Sequence, residues 1–137
     1  LKAFEQIQSS GKIQLFKSYK KEYKNGEQKR DFLYVKDAVD MTLFFMDNPK
    51  INGIFNIGSA SAHTWNELAN NIFKALGKQP NIEYIDMPDN IKEKYQYFTQ
   101  ADISKLRKAG YKNQITPLGE SVHDYVQNYL IPHSHLS

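Results

Sequence analysis

The stretch NGIFNIGSASAHTWNELANNIFKALG, residues 52–77, joins two patterns that together indicate an α/β fold. Residues 54–57 form a short apolar run bounded by glycines, which is typical of a buried parallel strand. Thr64 and Glu67 have the spacing of a helix capping box, and Gly77 is placed to end that helix. A strand followed by a capped helix predicts one unit of a layered α/β structure.

The segments on either side continue this alternation. On the C-terminal side, residues 82–86 predict a strand and residues 101–109 predict a helix. Thr116 and Pro117 then have the character of a cap and a first-turn proline, which indicates a final helix. The order of strands and capped helices favours an α/β layer structure over a helix bundle or a β-barrel.

On the N-terminal side, residues 13–16 are a short apolar run that leads into a loop or hairpin, and residues 32–35 are a compact run with the character of a strand. Asp37 offers an N-cap for a helix that ends at Asp47. The chain opens at Leu1 in the middle of a helical pattern, with no lead-in to that helix. We therefore expect a fragment whose N-terminal part has been removed.

The composition is typical of one folded domain, with 40% hydrophobic and 24% charged residues in a chain of 137. Cysteine is absent, which excludes a disulfide scaffold or a zinc–thiolate site and agrees with a cytoplasmic location. No apolar stretch approaches the roughly 20 residues of a membrane helix, so no membrane partner is expected. His133 and His135 have metal-ligand chemistry, but a frayed terminus explains them better, and no metal site is expected.

Positive charge is concentrated in one segment, although the net charge of the chain is only +3. This segment indicates an anionic partner, or a solvated lysine-rich loop with an Asn25-Gly26 turn. A nucleic-acid-binding module would carry basic residues over much more of its surface, so we expect no nucleic-acid partner. The basic residues concerned are Lys17, Lys20, Lys21, Lys24, Lys29 and Arg30.

Residues 29–38, KRDFLYVKDA, resemble the Arg-Asp-Phe-x-Tyr-Val-x-Asp-Val motif of extended short-chain dehydrogenases that act on nucleotide sugars. Residues 53–58, GIFNIG, and 64–69, TWNELA, are similar to the strand and helix that follow this motif in that family. The resemblance implies that residues 1–137 are the C-terminal substrate-binding region of such an enzyme. That region would carry remnants of the Rossmann sheet and lack the N-terminal cofactor domain.

Within that family, residues 94–102, KYQYFTQAD, and 106–111, LRKAGY, look most like the ADP-heptose 6-epimerases. This resemblance implies an NADP-dependent epimerase that oxidises carbon 6 of an ADP-sugar and returns the hydride, for lipopolysaccharide core synthesis. It also implies a homo-oligomer when intact. The alternative is another epimerase or dehydratase of the family, for example one that acts on a UDP-sugar.

Hydride transfer in this family needs a glycine-rich turn for the dinucleotide and a Tyr-x-x-x-Lys pair for proton transfer. The sequence contains neither motif, so we assign no catalytic and no cofactor-binding residue to this chain. NADP would be bound mainly by the missing N-terminal half. Recognition of the ADP-sugar substrate is the role that remains.

The resemblance implies a set of substrate-binding residues. Arg30 would pair with the pyrophosphate through its guanidinium fork, unless it forms a structural ion pair with Asp31 or a glutamate. Tyr95 would donate a hydrogen bond to a phosphate oxygen. Residues 16–30 form a longer stretch than in the enteric-type enzymes, and the four positions that would surround the nucleotide are Phe16, Lys17, Ser18 and Tyr19.

We expect the 137-residue chain alone to show no NADP binding and no epimerase activity, because the motifs required for both are absent. Isothermal titration calorimetry with NADP tests this directly. Saturable binding at micromolar concentration would show that the cofactor site lies within this chain.

Overall fold

The computed structural model describes residues 1–133. This part of the chain contains both helices and strands, including a parallel strand pair, which confirms the predicted α/β class. The elements are α1 (Lys2–Ser10), β1 (Ile13–Phe16), β2 (Lys29–Asp31), α2 (Val35–Asp47), β3 (Ala62–Thr64), α3 (Trp65–Ala75), β4 (Ile82–Ile85), α4 (Asp89–Lys92), α5 (Ser104–Lys108), α6 (Leu118–Tyr125) and a π-helical turn (Val126–Leu130).

The first layer is built on β1 and β4, which pair in parallel with Ile13 opposite Ile82 and Phe16 opposite Ile85. A parallel pair needs a crossover connection, and the chain between these strands supplies it through α3. Buried apolar side chains of the strands, of α1, of α3 and of the π-helical turn form one core beside this pair. Its fully buried members are Phe4, Ile7, Ile13, Leu15, Ala69, Ile72, Phe73, Ala75, Val126 and Leu130.

The second layer holds a smaller core under α2 and α5. Its buried members are Met41, Ile103, Leu106 and Tyr111. Asp37 joins α2 to the segment before α6. Its buried carboxylate accepts hydrogen bonds from the Thr116 amide at 2.9 Å and from the Thr116 hydroxyl at 2.8 Å.

A second polar contact joins the start of α2 to α6. The Asp124 carboxylate accepts hydrogen bonds from the Tyr34 hydroxyl and, at 2.9 Å, from the Lys36 ammonium. These two donors, Tyr34 first, lower the pKa of Asp124 to about 2. The pair of contacts fixes the segment that follows β2 against the C-terminal helix.

The second sheet consists of β2 and β3, an antiparallel pair in which Arg30 lies opposite His63. The segment after α4 extends this sheet on the other side of β2. The Lys29 amide donates to the Tyr97 carbonyl at 2.9 Å, and the Thr99 amide donates to the Lys29 carbonyl at 3.2 Å. Residues distant in sequence are thereby brought beside Arg30.

Several sequence predictions are confirmed. Helix α3 begins with the Thr64–Glu67 capping box, with the Glu67 amide donating to the Thr64 hydroxyl at 3.0 Å and the Thr64 amide donating to Glu67 Oε2 at 2.6 Å. Helix α1 ends at Gly11 in a left-handed conformation. Strand β4 and the turn at Asn25-Gly26 also lie where the sequence places them.

Other predictions were wrong. Residues 54–57 form no strand, because no other strand of residues 1–133 pairs with them. Residues 32–35 also form no strand, since pairing ends at Asp31 and α2 begins at Val35. Asp37 does not cap α2, because its carboxylate binds Thr116 instead.

The last two helices also differ in their bounds. Helix α5 is shorter than the predicted 101–109 because the Ala101 amide donates to the Asp31 carboxylate. The last helix begins at Leu118, so Pro117 precedes its first turn. For α5, a contact with a distant residue therefore sets a boundary that local propensity alone does not determine.

No helix within residues 1–133 combines the length and the apolar character that a membrane crossing requires. Of the two terminal histidines, His135 lies outside the described residues. Residues 1–133 contain no group of three His, Asp or Glu side chains that could hold a metal ion.

Helix α2 has an exposed apolar stripe, which we define as Val35, Val39, Leu43 and Met46. Their spacing places them on one face of the helix, and their exposed fractions range from 48% to 70%. Ile54, in the run predicted to be a strand, is 88% exposed. Contiguous apolar surface of this kind marks an interaction face.

We expect the isolated chain to self-associate through this stripe, because association removes apolar surface from water. The double variant Val39→Gln with Met46→Gln should shift the chain toward the monomer in analytical ultracentrifugation. Lys74→Gln, on the exposed face of α3, is the matched control and should leave association unchanged. A wild-type chain that stays monomeric at high concentration would contradict this expectation.

Candidate functional site

Arg30 lies in the middle of β2, with its backbone held by the ladder to β3. The guanidinium donates a hydrogen bond to the Lys29 carbonyl at 2.8 Å, and its Cζ lies 5.1 Å from the centre of the Tyr95 ring. Within residues 1–133, no carboxylate forms an ion pair with Arg30. The positive charge therefore remains available to an anion, on a side chain whose direction is fixed.

The neighbouring Asp31 does not neutralise Arg30, which removes the alternative of an Arg30–Asp31 ion pair. Its carboxylate accepts three backbone hydrogen bonds instead, from Ser59 at 2.7 Å, Ala60 at 3.2 Å and Ala101 at 2.8 Å. These donors belong to two separate loops, so Asp31 ties both of them to the end of β2. We call this contact the Asp31 tether.

Gly58 shows how closely these segments approach each other at the Asp31 tether. A Cβ atom at this position would lie 2.3 Å from the Ala101 Cβ and 2.8 Å from Asp31 Oδ2. No side chain fits at such distances. Gly58 therefore serves the packing of the tether and offers no open cradle for a phosphate.

Tyr95 and Phe16 complete a small cluster with Arg30. The Phe16 and Tyr95 rings meet edge to face, with their centres 6.3 Å apart. The Tyr95 hydroxyl has no hydrogen-bond partner within the described residues. We call Arg30, Tyr95 and Phe16 the Arg30 cluster. It combines one unpaired cation, one free hydroxyl and two aromatic rings, a set suited to a phosphorylated ligand with a flat base.

The other three residues implied by the resemblance have their polar groups engaged elsewhere. Lys17 forms an ion pair with Asp86 at 3.2 Å, and the Tyr19 hydroxyl donates to the same carboxylate at 3.2 Å. The Lys17 ammonium, more than any other contact, lowers the pKa of Asp86. The Ser18 hydroxyl donates to the Lys20 carbonyl at 2.9 Å. A role for Lys17, Ser18 and Tyr19 at the nucleotide stays a prediction.

The structure also places residues beside the Arg30 cluster that the sequence analysis missed. The Tyr97 ring lies 5.6 Å from the Tyr95 ring. His63 lies directly opposite Arg30 on β3, and its ring contacts the Ser61 hydroxyl at 3.1 Å and the Glu67 carboxylate at 3.4 Å. The alternation of Tyr95 and Tyr97 at a spacing of two was a usable signal, because it places both rings on one face of an extended segment.

One family model and several known proteins match this sequence. Residues 2–58 match the model of the NAD dependent epimerase/dehydratase family. Over 129 residues, the chain is 46% identical to the ADP-L-glycero-D-manno-heptose-6-epimerase of Nitratidesulfovibrio vulgaris, a match that covers 94% of the chain and 40% of the relative. The chain is thus similar to the NAD dependent epimerase/dehydratase family over residues 2–58, and to a curated ADP-heptose epimerase over most of its own length.

A second relative in this family, the enzyme of the same name from Fusobacterium nucleatum, is 44% identical over 133 residues. This match covers 93% of the chain and 40% of the relative. The chain thus spans 40% of the length of these curated epimerases. The resemblance to ADP-heptose 6-epimerases is confirmed by these relatives.

Solved structures of the epimerase/dehydratase family have the same fold. The UDP-N-acetylglucosamine 4-epimerase of Methanobrevibacter ruminantium superposes with a TM-score of 0.76 at 23% identity, covering 96% of the chain and 38% of that structure. The ADP-L-glycero-D-manno-heptose-6-epimerase of Helicobacter pylori gives a TM-score of 0.73 at 24% identity. This match covers 99% of the chain and 37% of that structure. At these identities the likeness confirms the fold class alone.

We expect Asp31→Ala to lower the free energy of unfolding by about 2 to 3 kcal/mol, because three backbone donors lose a charged acceptor. Asp31→Asn should lower the free energy of unfolding by a smaller amount, since one side-chain oxygen still accepts a hydrogen bond. Urea denaturation followed by circular dichroism measures the change. Asp86→Asn, at an exposed carboxylate, is the control, and equal stability of Asp31→Ala and the wild type would contradict the tether.

Proposed function

We propose that this chain forms the substrate-binding part of an NADP-dependent epimerase that converts ADP-D-glycero-D-manno-heptose to ADP-L-glycero-D-manno-heptose. The observation that carries the proposal is the guanidinium of Arg30, which lies against Tyr95 and has no acidic partner within residues 1–133. The names of the relatives at 44% and 46% identity support the choice of an ADP-heptose as substrate.

In this proposal, the Arg30 cluster binds the nucleotide end of the substrate. The guanidinium pairs with the diphosphate, because charge-assisted hydrogen bonds to phosphate oxygens are roughly twice as strong as neutral ones. The Tyr95 hydroxyl donates to a phosphate oxygen, and the Phe16 ring packs on adenine. Lys17, Ser18 and Tyr19 would approach the nucleotide after release of their contacts with Asp86 and Lys20.

The residues of this chain do not fit the NADP cofactor itself. A dinucleotide pyrophosphate needs glycines that leave room for close backbone approach at a helix N-terminus. Gly58, which ends the apolar run 54–57, has its space filled by Ala101 and Asp31. We assign NADP to an N-terminal half of the enzyme outside this chain, where the cofactor would supply hydride transfer.

The cellular role follows from the substrate in the same proposal. The product would serve lipopolysaccharide core synthesis, in the cytoplasm, and the complete enzyme would be a homo-oligomer. The exposed apolar stripe of α2 supports this arrangement, because a neighbouring domain or subunit would remove it from water.

We expect Arg30→Ala to lose about 1.5 to 3 kcal/mol of substrate binding, which is the usual contribution of a hydrogen bond to a charged group. Arg30→Lys should recover only part of this loss, since a point charge does not reproduce the guanidinium fork. The measurements are ADP binding to the chain by calorimetry, and ADP-heptose kinetics in an enzyme that contains this chain.

The control is Lys78→Ala, which removes an equal charge from an exposed position. Circular dichroism checks the fold of each variant, and NADP affinity of the complete enzyme serves as an internal reference. An unchanged Michaelis constant and turnover in Arg30→Ala would remove this residue from the site. A loss of NADP affinity equal to that for substrate would assign Arg30 a structural role instead.

A further inference from the structure

The long basic loop between β1 and β2, residues 17–27, is held by contacts in both of its halves. At its C-terminal end, the Asn66 amide donates to the Gly26 carbonyl at 3.0 Å, and Asn66 Nδ2 donates to the Asn25 carbonyl at 3.0 Å. Gly26 has φ +73, and a Cβ there would lie 2.0 Å from Asn66 Oδ1. Only glycine allows this approach, so the end of the loop is fastened to the first turn of α3.

The other half of the loop is held by Tyr97, in addition to the contacts of Lys17 and Tyr19 with Asp86. Tyr97 is 7% exposed, and its hydroxyl accepts a hydrogen bond of 2.8 Å from the Tyr19 amide. The Tyr23 ring lies 5.1 Å from the Tyr97 ring, and the Lys20 ammonium lies 4.8 Å from the ring centre. A single buried residue outside the loop therefore contacts three of its residues.

The same ring supports the Arg30 cluster. The Tyr97 ring packs edge to face on Tyr95 at 5.6 Å, and Arg30 stacks on Tyr95. The backbone of Tyr97 is fixed to β2, since its carbonyl accepts from the Lys29 amide. A continuous series of contacts thus runs from the loop through Tyr97 to Tyr95 and Arg30.

We propose that Tyr97 is a positioning residue that holds loop 17–27 closed and sets the Tyr95 and Arg30 side chains for the phosphate groups of a nucleoside diphosphate. The identity of the ligand in this inference rests on the proposed function. The action of Tyr97 on the loop rests only on the contacts of Tyr97. The hydroxyl fixes the loop, and the ring fixes Tyr95. These two actions are separable by substitution.

The test is Tyr97→Phe, which removes the hydroxyl and keeps the ring. In hydrogen exchange followed by NMR, the Tyr19 amide should exchange about 3- to 10-fold faster, the effect of losing one hydrogen bond. The Lys17 amide, which donates to the Ile85 carbonyl, should keep its protection. ADP affinity of the chain should fall by a similar factor, and Tyr97→Ala, which also removes the ring beside Tyr95, should lower it further.

The matched control is Tyr111→Phe, which removes a buried tyrosine hydroxyl that donates to Asp40 at 2.6 Å in the other core. This variant should lose stability without changing Tyr19 exchange or ADP affinity. Equal ADP affinity in Tyr97→Phe, Tyr97→Ala and the wild type would overturn the positioning role. Unchanged Tyr19 exchange in Tyr97→Phe would overturn the hold on the loop.

These outcomes separate this inference from the proposed function. If wild-type chain binds no ADP while Tyr19 exchange accelerates in Tyr97→Phe, the proposed ligand and the positioning role both fail, and the hold on the loop stands. If ADP binds and depends on Arg30 while both Tyr97 variants behave as wild type, the proposed function stands and the role of Tyr97 fails.

Discussion

The Asp31 carboxylate, with its three backbone hydrogen bonds, is the constraint on which the arrangement around Arg30 depends. It joins the end of β2 to the loops at Ser59 and Ala101, and Gly58 must be glycine for these segments to meet. Because Asp31 is satisfied by backbone donors, it leaves the charge of Arg30 uncompensated. Within one short motif, Asp31 therefore builds the scaffold and the preceding residue, Arg30, presents a cation.

The sequence was sufficient where a local interaction determines the structure. The Thr64–Glu67 capping box and the glycine at the end of α1 need only their own neighbours, and both were predicted correctly. Prediction from the sequence failed where a residue distant in the chain determines the local structure. Residues 54–57 have a strand pattern but no strand beside them within residues 1–133, and Asp37 binds Thr116 instead of capping α2.

The residues of the candidate site were likewise predicted only in part. The resemblance to nucleotide-sugar enzymes pointed to Arg30, Tyr95 and Phe16, and the structure brings these three side chains together. Tyr97 was missed although its spacing of two from Tyr95 was a usable signal, because the bridge that brings residues 97–99 beside Lys29 joins segments distant in sequence. The relatives show what the chain is similar to, and the chain spans 40% of their length.

The central claim is that the Arg30 guanidinium receives the diphosphate of the nucleotide. The most direct measurement is a crystal structure of this chain grown with ADP. The account predicts a phosphate oxygen within hydrogen-bonding distance of the Arg30 guanidinium, with the Tyr95 hydroxyl on the same diphosphate and adenine against Phe16. ADP bound at a different place, with Arg30 still stacked on Tyr95 and touching no phosphate, would contradict it.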